Sequence, residues 1–236
     1  MKTNSVTATA DDGIRFSTLI LIVLIGAGSA LLLARVLPTW WPDLMRSLSG
    51  DQPKAFWYLS RASGFASYAL IWLSMAFGLL ITNRLARLWP GGPTAFDLHQ
   101  YISLLGLGFV VFHVLILLGD RYLDYSLATL FVPFNSEPYR SFWVGLGQTG
   151  FYLSIRVSVT FYIRRAITLR AFRVIHCLSF AAFLLVLAHA IWSGTDSAVS
   201  WVVLAYYISG ASLVFLTIYR VLSRWVRAGP HEAVTW

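Results

Sequence analysis

Hydrophobic residues fill six long stretches of this chain, separated by polar segments. The stretches run from Phe16 to Leu37, Phe56 to Thr82, Asp97 to Leu118, Ser141 to Ile163, Ala171 to Ser193 and Ala198 to Leu222. An apolar helix of about 20 residues crosses a hydrocarbon core roughly 30 Å thick. The pattern therefore predicts an all-α fold, a polytopic membrane protein built as a six-transmembrane-helix bundle. The expected organisation is an N-terminal tail over residues 1–15, a membrane domain over residues 16–222 and a C-terminal tail over residues 223–236. The first stretch is too long for a removed signal peptide and lacks a small-residue cleavage site, so it reads as a retained anchor. Two longer polar connections remain, Pro38–Ala55 and Gly119–Arg140. Within the second, Tyr125–Val132 predicts a short interfacial helix ended by Pro133.

Composition supports the membrane reading. Of 236 residues, 58% are hydrophobic and 12% charged, about half the charged share of a soluble domain. The net charge of +8 would suit nucleic acid in a soluble chain. In a membrane chain an excess of Lys and Arg reports topology instead, so lipid is the expected surrounding and no nucleic-acid partner is expected. Six spans place both termini and the loops after the second and fourth spans on one side. That side carries 11 of the 18 Lys and Arg, the other side 6, and Arg156 stays inside a span. The positive-inside rule then predicts both termini in the cytoplasm of a multi-pass protein of the cell (inner) membrane. Several tryptophans, among them Trp57, Trp143, Trp192 and Trp225, fall at predicted interfaces and read as an aromatic belt.

Candidate chemistry lies in four histidines on two of these stretches. His99 and His113 stand fourteen positions apart in the third span, and His176 and His189 thirteen apart in the fifth. At about 1.5 Å of rise per residue each pair spans roughly 20 Å, one histidine near each membrane face. Both spans run in the same direction, so pairing by depth gives an inner site, His99 with His176, and an outer site, His113 with His189. Intramembrane histidines are costly and mark functional sites by default. Two imidazoles saturate a heme iron, and two hemes stacked across a membrane form an electron path. With a single cysteine, Cys177, no covalent attachment motif exists, so the expected cofactors are two non-covalent b hemes with these histidines as iron ligands. A lone histidine in an apolar span is more often a packed, hydrogen-bonded residue; four at matched depths argue otherwise. The fifth span carries a geometric difficulty. Thirteen steps of about 100° leave its histidines about 140° apart, against about 40° for fourteen steps. A π-bulge or a compensating supercoil is expected there. His231 lies in the polar tail and reads as solvated.

Arginines flank the proposed sites. Arg170 and Arg173 precede His176, and Arg61 opens the second span on the outer side. Arginine grips carboxylates bidentately, so heme propionates are candidate partners, with a plain positive-inside flank as the alternative for Arg170 and Arg173. Arg156 is expected to face the bundle interior, where it is a further candidate for a heme propionate, or to snorkel to the inner surface. Two features read as decoys. Gly145-Leu146-Gly147-Gln148-Thr149-Gly150 spells a dinucleotide fingerprint but follows no strand, so close helix packing is the better account. Cys177 points about 100° away from His176 on a helix and reads as a small core residue.

These residues resemble the ferric reductase-like transmembrane domain family, which includes the membrane parts of NADPH oxidases and ferric reductases and the heme-binding membrane subunit of the bacterial methionine sulfoxide repair system. The resemblance covers roughly Trp57 to Arg224. It is carried by Trp57 to Gly64 around Arg61, Asp97-Leu98-His99, His113, Pro133 to Ser136 with Tyr139-Arg140, Gly145-Leu146-Gly147, Phe172 to His176, and His189 before Gly194-Thr195-Asp196. It implies two b hemes between the third and fifth helices, bound at His99, His113, His176 and His189, and basic positions near the outer and inner hemes at Arg61 and Arg173. It also implies tolerance of the shorter histidine spacing in the fifth span. Phe172 departs from the family, which usually has tryptophan there. The chain also ends about a dozen residues after the last span, where oxidase and reductase relatives carry a flavin and nicotinamide domain, so NAD(P)H oxidation is not expected of it.

The expected function is transmembrane electron transfer of ferric reductase-like type, from a cytoplasmic-side donor to an outer-side acceptor. A flavoprotein or a quinol would supply the electrons, with any flavin on a partner or at the inner face. Ferric iron, oxygen or a periplasmic redox protein would accept them. Two other readings stand beside it: a heme-binding subunit that feeds a separate periplasmic reductase, and a heme-free scaffold or transporter subunit.

Overall fold

The computed structural model describes residues 54–120, 123–136 and 139–227, together with helical positions 17, 18, 20, 21, 24, 25, 28 and 32. The expected first span therefore falls largely outside the described residues, as does His231. Residues 51–236 form one compact unit.

It is all-helical, with no strand among the described residues. The helices are α1 (Lys54–Thr82), α2 (Gly92–Leu115), α3 (Leu127–Phe131), α4 (Ser141–Tyr162), α5 (Leu169–Ser193) and α6 (Ser200–Arg227). Short 3-10 turns Leu85–Arg87, Ile116–Gly119 and Thr195–Ala198 follow α1, α2 and α5. Local chemistry explains several boundaries. Gly91 adopts φ 106, a backbone open essentially to glycine, and lets the chain turn into α2, where Pro93 takes an early position without needing its missing N–H. Thr168 caps α5 by accepting the Ala171 N–H at 3.2 Å, and Ser126 caps α3 by accepting from Thr129 at 3.1 Å. The interfacial helix expected within Tyr125–Val132 is α3, which starts two positions later and ends one earlier than that segment.

Among the described residues four helical segments are long and apolar enough to cross a membrane: Phe56–Thr82, Gly92–Gly119, Leu169–Ser193 and Ser200–Val226. They coincide with the expected second, third, fifth and sixth spans. The helix expected as the fourth span forms where predicted, as α4, but is not among them. Gln148, Thr149, Ser154, Arg156, Ser158 and Thr160 dilute its apolar content. Apolar side chains such as Leu184, Val174 and Phe215 are more than half exposed on the outside of the unit, as suits helices bathed in lipid tails.

Two antiparallel hairpins carry the architecture: α1 packs closely along α2, and α4 along α5, while α6 lies against α1. The apolar core gathers Tyr68, Met75 and Leu79 of α1, Phe183 of α5, and Val202, Tyr206 and Leu213 of α6. Polar bonds tie α6 to α1, with the Trp72 indole N–H donating to Ser212 Oγ at 2.9 Å and the Tyr68 hydroxyl paired with Ser209 Oγ at 2.5 Å. Between helices in lipid, where apolar packing has no water to escape, such bonds contribute about 0.6–2 kcal/mol each. Trp72 is thereby committed to α6. Between α2 and α5 the backbones make little close contact, and side chains from both helices meet across the space.

Candidate functional site

Those side chains are the four histidines. The His99 and His176 ring centres lie 6.2 Å apart with planes at 71°, and the His113 and His189 centres lie 6.3 Å apart at 78°. The structure thus regroups the histidines across the helices in the two pairs that depth predicted.

Three of the four rings are oriented by backbone carbonyls. His113 Nδ1 lies 2.7 Å from the Ser60 carbonyl, His99 Nδ1 2.8 Å from that of Ser74, and His189 Nδ1 3.0 Å from that of Trp143. A carbonyl only accepts, so each neutral ring carries its proton on Nδ1 and keeps the Nε2 lone pair. A carbonyl behind a histidine is the usual support of a metal ligand, because it fixes the tautomer and raises basicity.

Glycines make room for the same three rings. A Cβ on Gly64 would lie 3.1 Å from His113 Nδ1, one on Gly78 3.3 Å from His99 Cε1, and one on Gly147 2.6 Å from His189 Nδ1. Each glycine stands about one helical turn after the accepting carbonyl. The cradle is therefore written as Ser60-x3-Gly64, Ser74-x3-Gly78 and Trp143-x3-Gly147. The two copies on α1 stand as far apart in sequence as His99 and His113 do on the antiparallel α2. Sequence reasoning missed these carbonyl and glycine positions, although the Ser-x3-Gly repeat is a signal visible without coordinates.

His176 is different. Its Nδ1 is buried without a hydrogen-bond partner, and its ring stacks on Phe172, centres 5.5 Å apart and planes at 23°. The bulge expected in α5 is absent, since residues 169–193 are continuously α-helical. The angular offset survives as a difference in surroundings: His189 leans on α4 through Trp143, while His176 leans on its own helix through Phe172.

A cavity of about 190 Å³ opens around the outer pair, lined by His113, His189, Gly64, Gly147 and Gln148 and by a mainly apolar wall. Arg61 reaches its rim, but its guanidinium forks onto the Asp196 carboxylate, with Nε donating to Oδ2 at 2.8 Å and Nη2 to Oδ1. Gln148 is buried and bridges the connecting loop, donating to the Thr129 and Leu130 carbonyls at 2.8 Å and accepting from Phe134 N–H at 3.2 Å.

The other expected arginines stand apart. Arg170, Arg173 and Arg156 are exposed, and none of their side chains hydrogen-bonds to another described residue. Cys177 is exposed, not a core residue as expected, because the face next to His176 points away from the bundle. Gly145–Gly150 does serve packing: a Cβ on Gly150 would meet Val186 Cγ2 at 2.9 Å, and Gly145 lies against Phe134.

The residues present suit an iron held between two imidazoles. Two metal–imidazole bonds of about 2 Å, with half a ring at each end, place ring centres about 6 Å apart, as both pairs are. Among the described residues no group of three or more His, Cys, Asp or Glu assembles; the donor sets are pairs. Searches of family models, curated proteins and solved structures found no match to this chain.

Proposed function

We propose that this chain is a di-heme b-type electron-transfer protein of the membrane, of the ferric reductase-like transmembrane kind, taking electrons from a cytoplasmic-side donor and delivering them to an outer-side acceptor. The observation that carries this reading is the pair of cross-helix histidine contacts at 6.2 and 6.3 Å, three of whose four rings have Nδ1 fixed on a carbonyl. Heme b, when bound, supplies one-electron redox chemistry at each level of the membrane. The chain's own part is to hold and orient. His99 and His176 present ring nitrogens at one level, His113 and His189 at the other. Ser60, Ser74 and Trp143 supply the carbonyls that fix the tautomers, and Gly64, Gly78 and Gly147 let the rings lie against α1 and α4. The apolar cavity wall excludes water from the outer pair. Arg61 and Asp196 at the rim neutralise each other, so a propionate would approach Arg61 in competition with Asp196. Exposed Arg170 and Arg173 near the start of α5 suit the inner propionates or the docking of a donor. The donor would be a flavoprotein or a quinol, and the acceptor ferric iron, oxygen or a periplasmic redox protein.

The test is a purified, membrane-extracted preparation examined by reduced-minus-oxidised spectroscopy, followed by reconstitution into liposomes with a trapped oxidant. The expected result is a b-type spectrum and oxidation of externally reduced protein by the trapped acceptor. A well-folded preparation without heme would overturn the reading.

A further inference from the structure

A second polar site lies where α1 and α6 end, and it shares no residue with the histidine pairs. A cavity of about 230 Å³ is lined by Thr82, Asn83, Arg84, Arg220, Ser223 and Arg224. Three arginines converge there, and among the described residues no carboxylate lines the cavity. Arg220 and Arg224 sit one turn apart on the same face of α6, an arrangement in which like charges repel. Arg84 holds a left-handed backbone, φ 63 and ψ 9, a position at the end of a helix where glycine or asparagine is the usual occupant. An arginine kept in that conformation beside two others points to function more than to packing. Asn83 is 6% exposed, its Nδ2 donates to the Leu216 carbonyl at 3.0 Å, and its Oδ1 is buried without a partner. The cavity therefore offers convergent cationic donors.

We infer that this cavity binds a phosphate ester. The guanidinium groups of Arg84, Arg220 and Arg224 grip the phosphate oxygens, which suit bidentate arginine. The site lies at the ends of two candidate membrane spans, Phe56–Thr82 and Ser200–Val226. That is the level of lipid headgroups, so an anionic glycerophospholipid supplies this chemistry in place. A free phosphate monoester supplies the same group from solution.

The full-length protein in detergent is titrated with dioctanoyl phosphatidylglycerol, dioctanoyl phosphatidylcholine, glycerol phosphate and inorganic phosphate, binding being read by thermophoresis. Phosphatidylglycerol is expected to bind at least about tenfold more tightly than phosphatidylcholine, and the double variant Arg220→Gln/Arg224→Gln to lose about that factor. Arg84→Asn keeps a residue that tolerates the left-handed backbone and is expected to weaken binding as well. Arg87→Gln, outside the cavity, is expected to change binding by less than about twofold. Glycerol phosphate binding as tightly as the lipid, with the same sensitivity to the variants, assigns the site to a soluble ester. Equal binding of the two lipids without phosphate-ester binding, unchanged binding in both cavity variants, or an equal loss in Arg87→Gln overturns the proposal.

Discussion

His113 rests its Nδ1 on the Ser60 carbonyl at 2.7 Å, and about four turns along both helices His99 repeats the contact with Ser74 at 2.8 Å. The repeat works because α1 and α2 run antiparallel. An equal step forward on one helix and back on the other, close to a whole number of turns, returns to nearly the same facing surfaces. Both rings are thereby turned the same way at two depths, towards α5.

The glycine cradles are expected to act one site at a time. Valine at Gly147 puts a Cβ 2.6 Å from His189 Nδ1, and valine at Gly78 puts one 3.3 Å from the His99 ring. Overpacking of this kind costs about 1–3 kcal/mol. Gly147→Val should displace the outer histidine and Gly78→Val should strain the inner one more mildly. Heme quantitation with redox titration would check this: Gly147→Val should lose a component that Gly78→Val keeps.

Removing the serine hydroxyls should matter little. The carbonyls of Ser60 and Ser74 make the shorter contacts to the rings, at 2.7 and 2.8 Å against 3.1 and 3.3 Å for the hydroxyls. Ser60→Ala and Ser74→Ala keep the carbonyls, so each should cost about 0.5–1.5 kcal/mol of stability at most and leave the visible spectrum unchanged. Melting curves and spectra of the two variants measure both halves of this.

Phe172 is expected to be more important than a lipid-facing aromatic. It is the stacking partner of His176, the one of the four paired histidines whose Nδ1 has no hydrogen bond. Phe172→Ala should loosen His176 and broaden or shift the inner component in an electron paramagnetic resonance spectrum, with the outer component intact. Phe172→Trp should preserve the signal. Identical spectra for wild type and Phe172→Ala would show that stacking does not position this ring.

Arg61 and Asp196 form a partly exposed pair, with side chains 32% and 21% accessible. Partial exposure limits its contribution to stability to about 1 kcal/mol. In a double-mutant cycle of Arg61→Gln and Asp196→Asn, a coupling in that range is expected from thermal denaturation in detergent. A much larger coupling would mean that the pair is effectively buried when the cavity is filled.

Much of this arrangement was legible in the sequence. The long apolar stretches set α1, α2, α5 and α6 to within a few residues, and topology alone paired His99 with His176 and His113 with His189. The difficulty over the spacing of His176 and His189 came from treating each histidine as a fixed direction on a cylinder. An imidazole reaches outward and its χ angles choose a side, so His189 and His176 meet their partners from different flanks of an unbroken α5. α4 forms where its apolar stretch predicts, while Gln148, Arg156 and Thr160 lower its hydropathy below that of the four candidate spans. The pairing of Arg61 with Asp196, 135 positions away in sequence, was not legible, since a long-range ion pair leaves no local trace.

The most direct measurement is the heme content and redox titration of four single variants: His99→Ala, His176→Ala, His113→Ala and His189→Ala. The paired sites predict two b hemes in the wild type. His99→Ala and His176→Ala should lose the same component, and His113→Ala and His189→Ala the other. A folded wild type without heme, or the loss of both components in every variant alike, would contradict two separate sites built across α2 and α5.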